Sequence, residues 1–563
     1  MSDPQEEFPK LNNKVLPFHS KRQIHHLFIL TPDAKTTSIK ERTETQKNAI
    51  FENREISIFH PTTPNTCSIL MELTIWDYII FFAFVLGVTI LGCAFYHKSR
   101  TSPEAFTKAS GNLPSWVVGM SIFATYVSSI SFLGLPGGAY AGNWNQLVFS
   151  LSIPIATYFA AKVFIPLYRG IGSVSAYQYL EDRFGYWARC YVAICYLLTQ
   201  LCRVGSILLL LAIPLNQMFS WDITTIIVLT GAITLVYSLM GGFIAVAWTD
   251  AIEGIILIAG AVICAILLTT GTPGGLPAVL DIASSEGKTS LGSFSAALTE
   301  PTFWVVLIYG LFINMQNYGV DQNYVQRYMA ARSTSEAVRS TMLGSLLYIP
   351  VSFVFLFIGT ALYGYYTSQP GLLPLGVEGD DVFPYYIVHG LPTGLTGLVI
   401  ASLFSAGMST VSTSINSSAT IVLTDFVSHI RKKMDKKTKM RVLYLTSLAV
   451  GSGGVLISLA MKDINGVLDA WWKLSSIFSG GMLGLLLLGL LRKQVRKGVA
   501  ITSVTAGLLV IAWMSLSTLL PENGSWSFVR CDLHTYLTIV LGTAAIFLTG
   551  LLGTMIHGAK TGA

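Results

Sequence analysis

The residues with the clearest capacity for chemistry are hydroxyl side chains gathered in one apolar segment, LFSAGMSTVSTSINSSAT. Six of them fall within ten positions: Ser405, Ser409, Thr410, Ser412, Thr413 and Ser414. Four positions of the segment follow the spacing i, i+3, i+4, i+7 of a single helix face: Ala406, Ser409, Thr410 and Thr413. Hard cations such as sodium prefer several oxygen ligands. The cluster therefore predicts a cation site with little net charge.

Two charged residues also fall inside apolar segments. Asp250, in VAWTDAIEG, lies about 10 Å inside the nearer membrane boundary by helix rise. An intramembrane carboxylate indicates a functional site, or else a structural partner of a buried Lys or Arg. Arg203 lies near the bilayer midplane, where an unpaired guanidinium costs several kcal/mol. Its compensation comes either from a substrate carboxylate or from the protein, through Asp250, Glu253 or helix C-terminal carbonyls.

Two further segments read as interrupted helices, SIFATYVSSISFLGLPGGAY and YGLFINMQNYGVDQNYVQRY. The first contains Pro136 between glycines, and the second places Gly310, Asn314 and Gly319 at membrane depth. Helix breakers in a membrane are tolerated only where they face protein or a water-filled cavity. Such segments in matching positions favour a transporter with its site at the midplane. Close packing through small residues is the alternative.

The elements that must position these residues are membrane spans. Hydrophobic residues make up 52% of the 563 and charged residues 12%, which excludes a soluble enzyme and a nucleic-acid binder. A spanning helix needs about 20 apolar residues. We predict an all-α polytopic membrane protein with about thirteen spans: 75–96, 113–140, 145–168, 187–218, 223–240, 243–271, 303–326, 338–366, 394–428, 440–461, 464–491, 499–520 and 534–556.

The basic residues predict the orientation of these spans. One set of loops with the C-terminus holds 21 Lys and Arg residues, including Arg327, and the opposite set holds three. Because cytoplasmic loops carry the excess of basic residues, we expect an outside N-terminus and a cytoplasmic C-terminus in the cell membrane. Outside these two sets, three basic residues of 71–563 remain within the predicted spans: Lys162, Arg203 and Lys473.

The chain divides into a polar extension, 1–70, and a membrane domain, 71–563. The extension has 17 charged residues and the composition of a disordered segment, and Met71 is an alternative start. The two interrupted spans are five spans apart, which predicts inverted halves at about 113–271 and 303–491 with flanking spans 75–96, 499–520 and 534–556. The connection 272–302 is expected to be an external linker.

The sequence does not favour an enzyme. It contains no H-E-x-x-H, no G-x-S-x-G and no paired acidic cluster with metal spacing. We expect a small-molecule substrate, sodium ions and the lipid bilayer as partners, no nucleic acid, and a functional monomer. A proton-coupled transporter using Asp250 and a channel or sensor on the same scaffold remain alternatives.

At these residues the chain resembles the sodium:solute symporter family over about 75–520. The matching stretches are FATYVSSISFLGLPGGAY, YQYLEDRFG, MGGFIAVAWTD, YVQRY, FSAGMSTVSTSINS and SGGMLGLLLLGLL. The resemblance implies a leucine-transporter-type fold of inverted five-helix repeats with discontinuous first helices. It also implies a symporter that works by alternating access, with Na⁺ as the coupling ion and no organic cofactor.

The resemblance implies one or two sodium sites, and we expect two. The common site of the family uses two carbonyls, a small residue and two hydroxyls, which match Ala124, Val127, Ala406, Ser409 and Thr410. A second site, present in some members, matches Asp250, Ser409, Ser412 and Thr413.

The substrate residues are likewise implied by resemblance. Positions beside the first break match Tyr126, Ser128 and Ser131, and Asn314 comes from the second interrupted segment. The motifs are most similar to those of the sialic acid symporters, whose carboxylate-binding arginine matches Arg203. Their third-span aromatic and glutamine correspond to Gln146 and Ser150, and Tyr126 replaces a small hydroxyl residue. The implied substrate is an acidic sugar or another organic carboxylate, with a neutral sugar of the glucose or galactose type as the alternative.

Overall fold

The computed structural model describes residues 73–377, 379–462, 481–492, 495–520 and 527–559. Within these ranges the regular structure is helical, and the single strand-like pairing is a parallel bridge between Leu113 and Ala331. The predicted all-α class is confirmed. The extension 1–70, Met71 and Lys473 lie outside the described residues, so the predictions about them are not tested.

We number the helices that form the membrane domain in chain order. They are α1 (Ile75–Ala94), α2 (Ser115–Tyr126), α3 (Ser129–Ala141), α4 (Trp144–Ile171), α5 (Tyr186–Phe219), α6 (Ile223–Gly271), α7 (Phe303–Val320), α8 (Gln322–Ala330), α9 (Thr334–Ser368), α10 (Leu395–Ile421), α11 (Lys436–Met461), α12 (Met482–Leu491), α13 (Lys497–Leu516) and α14 (Leu537–Ala559). Among the described residues, ten helices are long and apolar enough to cross a membrane. An eleventh span results if α2 and α3, bent by 51°, count as one.

The predicted spans coincide with these helices to within a few residues. Spans 223–240 and 243–271 form the two parts of α6, where Gly242 interrupts the helical geometry with φ 55° and ψ −158°. Glycine adopts this conformation because it has no Cβ, and a Cβ here would lie 2.8 Å from the ring of Phe106. Of span 464–491, the structure describes only the last part, α12. The count of thirteen stays a prediction.

The first interrupted span breaks between α2 and α3. Val127 and Ser128 are extended, with ψ 125° and 173°. The Val127 N–H still bonds the Phe123 carbonyl at 3.0 Å, but among the described residues the N–H of Ser128 makes no such bond to Ala124. A helix that ends in this way leaves its last carbonyl oxygens available to other partners. The predicted discontinuity is therefore present at the residues expected to bind a cation.

The second interrupted span breaks later than the sequence indicated. The glycines and amides at 310–319 lie within the continuous helix α7, and the chain breaks at Asp321. The Asp321 carboxylate accepts the Asn323 N–H at 2.7 Å and so caps the start of α8. Asn314 is held inside α7, where its amide donates to the Ser152 hydroxyl at 2.8 Å. The helix continues through Asn314, whose amide N–H finds its partner on the neighbouring helix α4.

The hydroxyl-rich segment forms α10, which is buried along nearly its whole length. Several hydroxyls donate to carbonyls three or four residues earlier in the same helix, including Ser405 to Ala401 at 2.7 Å and Thr410 to Ala406 at 3.1 Å. This local bonding satisfies the hydroxyl proton without a distant partner. A helix rich in hydroxyls can therefore occupy the centre of the bundle.

The connection 272–302 differs from the expected linker because it contains a helix, Gly275–Ser285. Beyond that helix the Lys288 ammonium donates to the Tyr140 carbonyl at 2.7 Å and lies 3.9 Å from the ring centroid of Tyr363. Burial lowers the pKa of the Lys288 ammonium. The connection is thus fastened to the C-terminal end of α3.

Candidate cation and substrate site

A cluster of tyrosine rings brings the two helix breaks together. Tyr126, at the end of α2, has its ring centroid 4.6 Å from that of Tyr348 in α9. The rings of Tyr318 in α7 and Tyr324 in α8 lie on either side of the second break, each 6.1 Å from Tyr126. The interrupted segments of both predicted halves therefore meet at one place inside the bundle.

Asp250, in the second part of α6, is fully buried and joins three other helices. Its Oδ1 accepts the hydroxyl of Ser409 in α10 at 2.7 Å, and its Oδ2 accepts that of Ser121 in α2 at 2.6 Å. The same Oδ2 lies 2.7 Å from Nη2 of Arg327 in α8. A buried arginine is therefore the partner of Asp250 in this structure, and the function of the carboxylate stays a prediction.

The functional residue missed by sequence reasoning is Arg327, which was counted with the cytoplasmic loops. Its side chain is only 1% exposed and makes four hydrogen bonds inside the bundle. Besides Asp250, it donates to the Ser121 hydroxyl at 2.8 Å, the Asn323 carbonyl at 2.8 Å and the Thr413 hydroxyl at 2.9 Å. The signal that could have found it is the need of a buried carboxylate for a cationic partner. Arg327 is the first residue beyond the predicted end of span 303–326.

Arg189 is a second basic residue that the loop assignment misplaced. It is buried near the start of α5, where its guanidinium bonds the carboxylate of Asp425 and that of Glu181, the latter at 2.6 Å. Ser175 also donates to the Asp425 carboxylate, at 2.8 Å. The remaining basic residues still divide very unequally between the two sets of loops, and this distribution still favours the predicted orientation.

The residues of the predicted common sodium site lie on two helices that meet at Asp250. Ala124 lies in the last turn of α2 and Val127 directly follows that helix. The other three residues follow one face of α10: Ala406, Ser409 and Thr410. All five are buried. Ser409 and Thr410 use their protons in hydrogen bonds, but a hydroxyl that donates keeps lone pairs for a cation. The donor set therefore suits a hard cation such as sodium.

The residues of the predicted second sodium site lie near one another, and the side chain of Arg327 occupies part of the site. Ser409 bonds Asp250, and Arg327 links Asp250 to Thr413 through a single Nη2 atom. The Ser412 hydroxyl instead donates to the Ser409 carbonyl at 3.1 Å. In the described conformation, the positive charge among these oxygens is the guanidinium of Arg327.

The predicted substrate residues do not form one cluster. Tyr126, Ser128 and Ser131 line the first break, with the Ser131 hydroxyl beside the phenol of Tyr348. The other three positions make separate contacts: Gln146 lies exposed against Gly138, Ser150 is bonded by Ser352 at 2.9 Å, and Asn314 bonds Ser152. Ser150 and Asn314 therefore join α4 to α9 and α7.

Arg203 is the charged substrate candidate and differs from the other buried arginines. Among the described residues it makes no ion pair or hydrogen bond, and it is only partly buried. The carboxylate within its electrostatic range is Asp321, at the second break. The partners that sequence reasoning considered were wrong, since Asp250 pairs with Arg327 and both carboxyl oxygens of Glu253 are buried without a hydrogen bond from a described residue.

Comparison with known proteins identifies relatives along most of the chain. The model of the sodium:solute symporter family matches residues 106–507. A sodium/sialic acid symporter of Proteus mirabilis is 30% identical over 84% of this chain and 94% of its own, and one of Aliivibrio fischeri is 29% identical over 84% and 92%. A sodium-coupled monocarboxylate transporter of Xenopus laevis is 26% identical over 79% and 73%. These relatives are transporters rather than enzymes.

Solved structures show the same fold. A Na⁺-coupled sialic acid symporter, captured outward-open with substrate and described as having a novel Na⁺ site, superposes with a TM-score of 0.79 at 26% identity. The alignment covers 86% of this chain and 98% of that one. The transporter Mhp1 superposes with a TM-score of 0.54 at 17% identity over 81% and 95%, which supports the fold alone.

Proposed function

Because this chain belongs to the sodium:solute symporter family, we propose that its substrate is an acidic sugar of the sialic acid type. The family and the relatives establish a sodium-coupled symporter in a membrane, with Na⁺ as coupling ion. The substrate proposal goes further. Two sialic acid symporters at 29% and 30% identity support it, as does Arg203, which the resemblance implies to be the carboxylate-binding residue.

Arg203 is the observation that carries this proposal. A guanidinium at membrane depth is costly unless an anion or water compensates it. Asp321 acts on Arg203 electrostatically, but no described residue forms an ion pair or a hydrogen bond with the guanidinium. A substrate carboxylate can bind the free donors directly and fits their planar geometry bidentately. A neutral sugar offers no such charged partner, which is why we place the glucose or galactose type second.

The common sodium site is proposed at Ala124, Val127, Ala406, Ser409 and Thr410. We place a second sodium at Asp250, Ser409, Ser412 and Thr413. Its binding requires Arg327 to break its hydrogen bonds to Asp250 and Thr413. Two cations a few ångströms apart repel each other strongly in a low-dielectric site. Sodium and the guanidinium therefore compete for the same carboxylate.

Alternating access rests on the two interrupted spans. The half-helices α2 and α8 are joined by the Leu113 N–H bond to the Ala330 carbonyl, 3.1 Å, and by Arg327 with Ser121. We propose that these contacts close one side of the candidate site. With the predicted orientation, N-terminus outside and C-terminus cytoplasmic, the closed side is the cytoplasmic one. We propose that the protein works as a monomer.

Equilibrium binding to the purified protein in sodium buffer tests the substrate class. Sialic acid should bind, and glucose and galactose should not compete with it. Arg203→Gln should abolish this binding, whereas Arg332→Gln, which removes an exposed arginine near the start of α9, should leave it unchanged. Tight hexose binding with an inert acid, or sialic acid binding that survives Arg203→Gln, contradicts the proposal.

A further inference from the structure

A groove opens between α4 and α9 on the outer surface of the bundle, away from the candidate site. Its volume is about 690 Å³. The lining is mostly apolar, with Tyr158, Met342 and Leu346 among the larger side chains, and its polar end contains Thr334 and Ser335. No carboxylate lines this groove. A lipid-facing cleft with one apolar end and one polar end has the shape of an amphiphile.

The shape of α4 creates the groove. Pro154 and Pro166 lie within this span, and a turn of π-helix at Ala160–Phe164 lies between them. Proline removes a backbone hydrogen bond and bends a helix, while a π-turn inserts an extra residue and often marks a functional site. The π-turn contains Lys162, and so it turns a basic side chain toward α9.

Two basic residues lie in the groove, Lys162 from α4 and Arg339 from α9. Both are exposed, and among the described residues neither makes an ion pair or a hydrogen bond. By helix rise, Lys162 is about 13 Å from the Ile171 end of α4, and Arg339 is about 8 Å from the Thr334 end of α9. These helix ends lie at the same membrane face, so both charges are within the depth of one leaflet.

An exposed ammonium at this depth is costly without an anion or access to water. Lysine and arginine direct their charged ends toward the headgroup layer while their stems cover apolar surface. In the groove we therefore expect both side chains to extend toward the polar end, which contains Thr334. Basic clefts between spans at a membrane face are places where anionic headgroups bind.

We propose that this groove binds an anionic phospholipid, with its phosphate between Lys162 and Arg339 and an acyl chain along Tyr158, Met342 and Leu346. The two positive charges favour an anionic headgroup, and the apolar wall favours a lipid with an acyl chain over a free anion. With the predicted orientation this lipid belongs to the cytoplasmic leaflet. The site is separate from the symport site and does not depend on the identity of the transported substrate.

Native mass spectrometry of the delipidated full chain, titrated with phosphatidylglycerol or phosphatidylcholine, tests the proposal. Wild type should bind one phosphatidylglycerol in strong preference to phosphatidylcholine. The double variant Lys162→Gln/Arg339→Gln should weaken phosphatidylglycerol binding about twenty-fivefold, at about fivefold for each basic residue. The matched control Lys432→Gln/Lys433→Gln removes two exposed charges outside the groove and should bind like wild type.

A second variant tests the apolar wall without altering charge. Met342→Trp fills the groove beside the acyl chain and should also weaken phosphatidylglycerol binding. Equal binding of both lipids by wild type, or unchanged binding by the charge variant, overturns the proposal. Displacement of phosphatidylglycerol by millimolar inorganic phosphate overturns it too, since that identifies a simple anion site. The same holds if cross-linking shows a second copy of the chain covering the groove.

Discussion

The guanidinium of Arg327 and the carboxylate of Asp250 form an ion pair 2.7 Å long, between residues 77 positions apart. Arg327 belongs to α8, which follows the second helix break, and Asp250 to α6. Ser121 from α2 and Thr413 from α10 complete the same network. One charge pair therefore ties both interrupted spans to the hydroxyl-rich helix.

The first prediction concerns this pair. Arg327→Gln leaves a buried carboxylate without its cation, and removing one partner of a buried pair costs about 3–5 kcal/mol. In sodium-free buffer the variant should therefore unfold at a markedly lower temperature than wild type. Sodium should stabilise Arg327→Gln more than wild type, because the ion then binds Asp250 without competition.

The double variant Arg327→Gln/Asp250→Asn is the control. It removes both charges, so its stability loss should be smaller than the sum of the two single losses, and sodium should restore less of it. Strictly additive losses with equal sodium responses would show that Asp250 does not bind sodium.

The second prediction concerns the common sodium site. Ser409→Ala/Thr410→Ala removes two of five proposed oxygen ligands and should raise the sodium concentration for half-maximal uptake at least tenfold. Ser414→Ala is the matched control, since the Ser414 hydroxyl lies in the same helix and has no hydrogen-bond partner among the described residues. It should leave the sodium dependence unchanged. Unaltered sodium dependence in the double variant would place the site elsewhere.

The third prediction concerns sodium stoichiometry. Two proposed sites predict two sodium ions per substrate and a Hill coefficient above one for uptake. Asp250→Asn should lower that coefficient while the common site stays functional. Reversal potentials measured with wild-type proteoliposomes give the stoichiometry directly. A value of one sodium per substrate would mean that Arg327 stays paired with Asp250 throughout the transport cycle.

The sequence predicted the features that depend on local patterns. The interruption of span 113–140 and the separation of spans 223–240 and 243–271, which meet at the Gly242 kink, follow from residue types that interrupt helices in a membrane. The exact position of the first break does not, since Pro136 lies inside α3 and the helix breaks at Val127. Long-range partners were not accessible in this way. Arg327 reads as a loop residue because hydropathy marks the end of an apolar run, whereas the chain stays buried for another turn beside Asp250.

The second break shows the same limit. Glycine and amide residues at 310–319 favour an interruption, but Asn314 finds Ser152 on α4 and the helix continues to Asp321. Tertiary contacts determine the position of the second break. The local signal that could have indicated this position is the capping carboxylate of Asp321. Likewise, the contacts of Ser150 and Asn314 with other helices depend on packing that one sequence does not reveal.

A fourth prediction concerns helix packing between α3 and α9. A Cβ at Gly359 would lie 2.1 Å from the Pro136 carbonyl oxygen and 2.8 Å from the Ala139 side chain. Gly359→Ala should therefore separate the helices and destabilise the protein by about 1–3 kcal/mol. Gly134→Ala is the control, since a Cβ at that position in α3 meets no atom within 4 Å. Thermal unfolding of both variants should show a loss for Gly359→Ala alone.

The most direct test of the central claim is uptake of radiolabelled sialic acid into proteoliposomes that contain the full chain. An inward sodium gradient should drive accumulation above the external concentration, and an inside-negative potential should increase it. Replacing sodium with potassium on both sides should reduce uptake to the level of protein-free liposomes, even with an inward proton gradient. Accumulation that follows the proton gradient without sodium, or sodium-driven accumulation of a neutral hexose with sialic acid inert, would contradict the account.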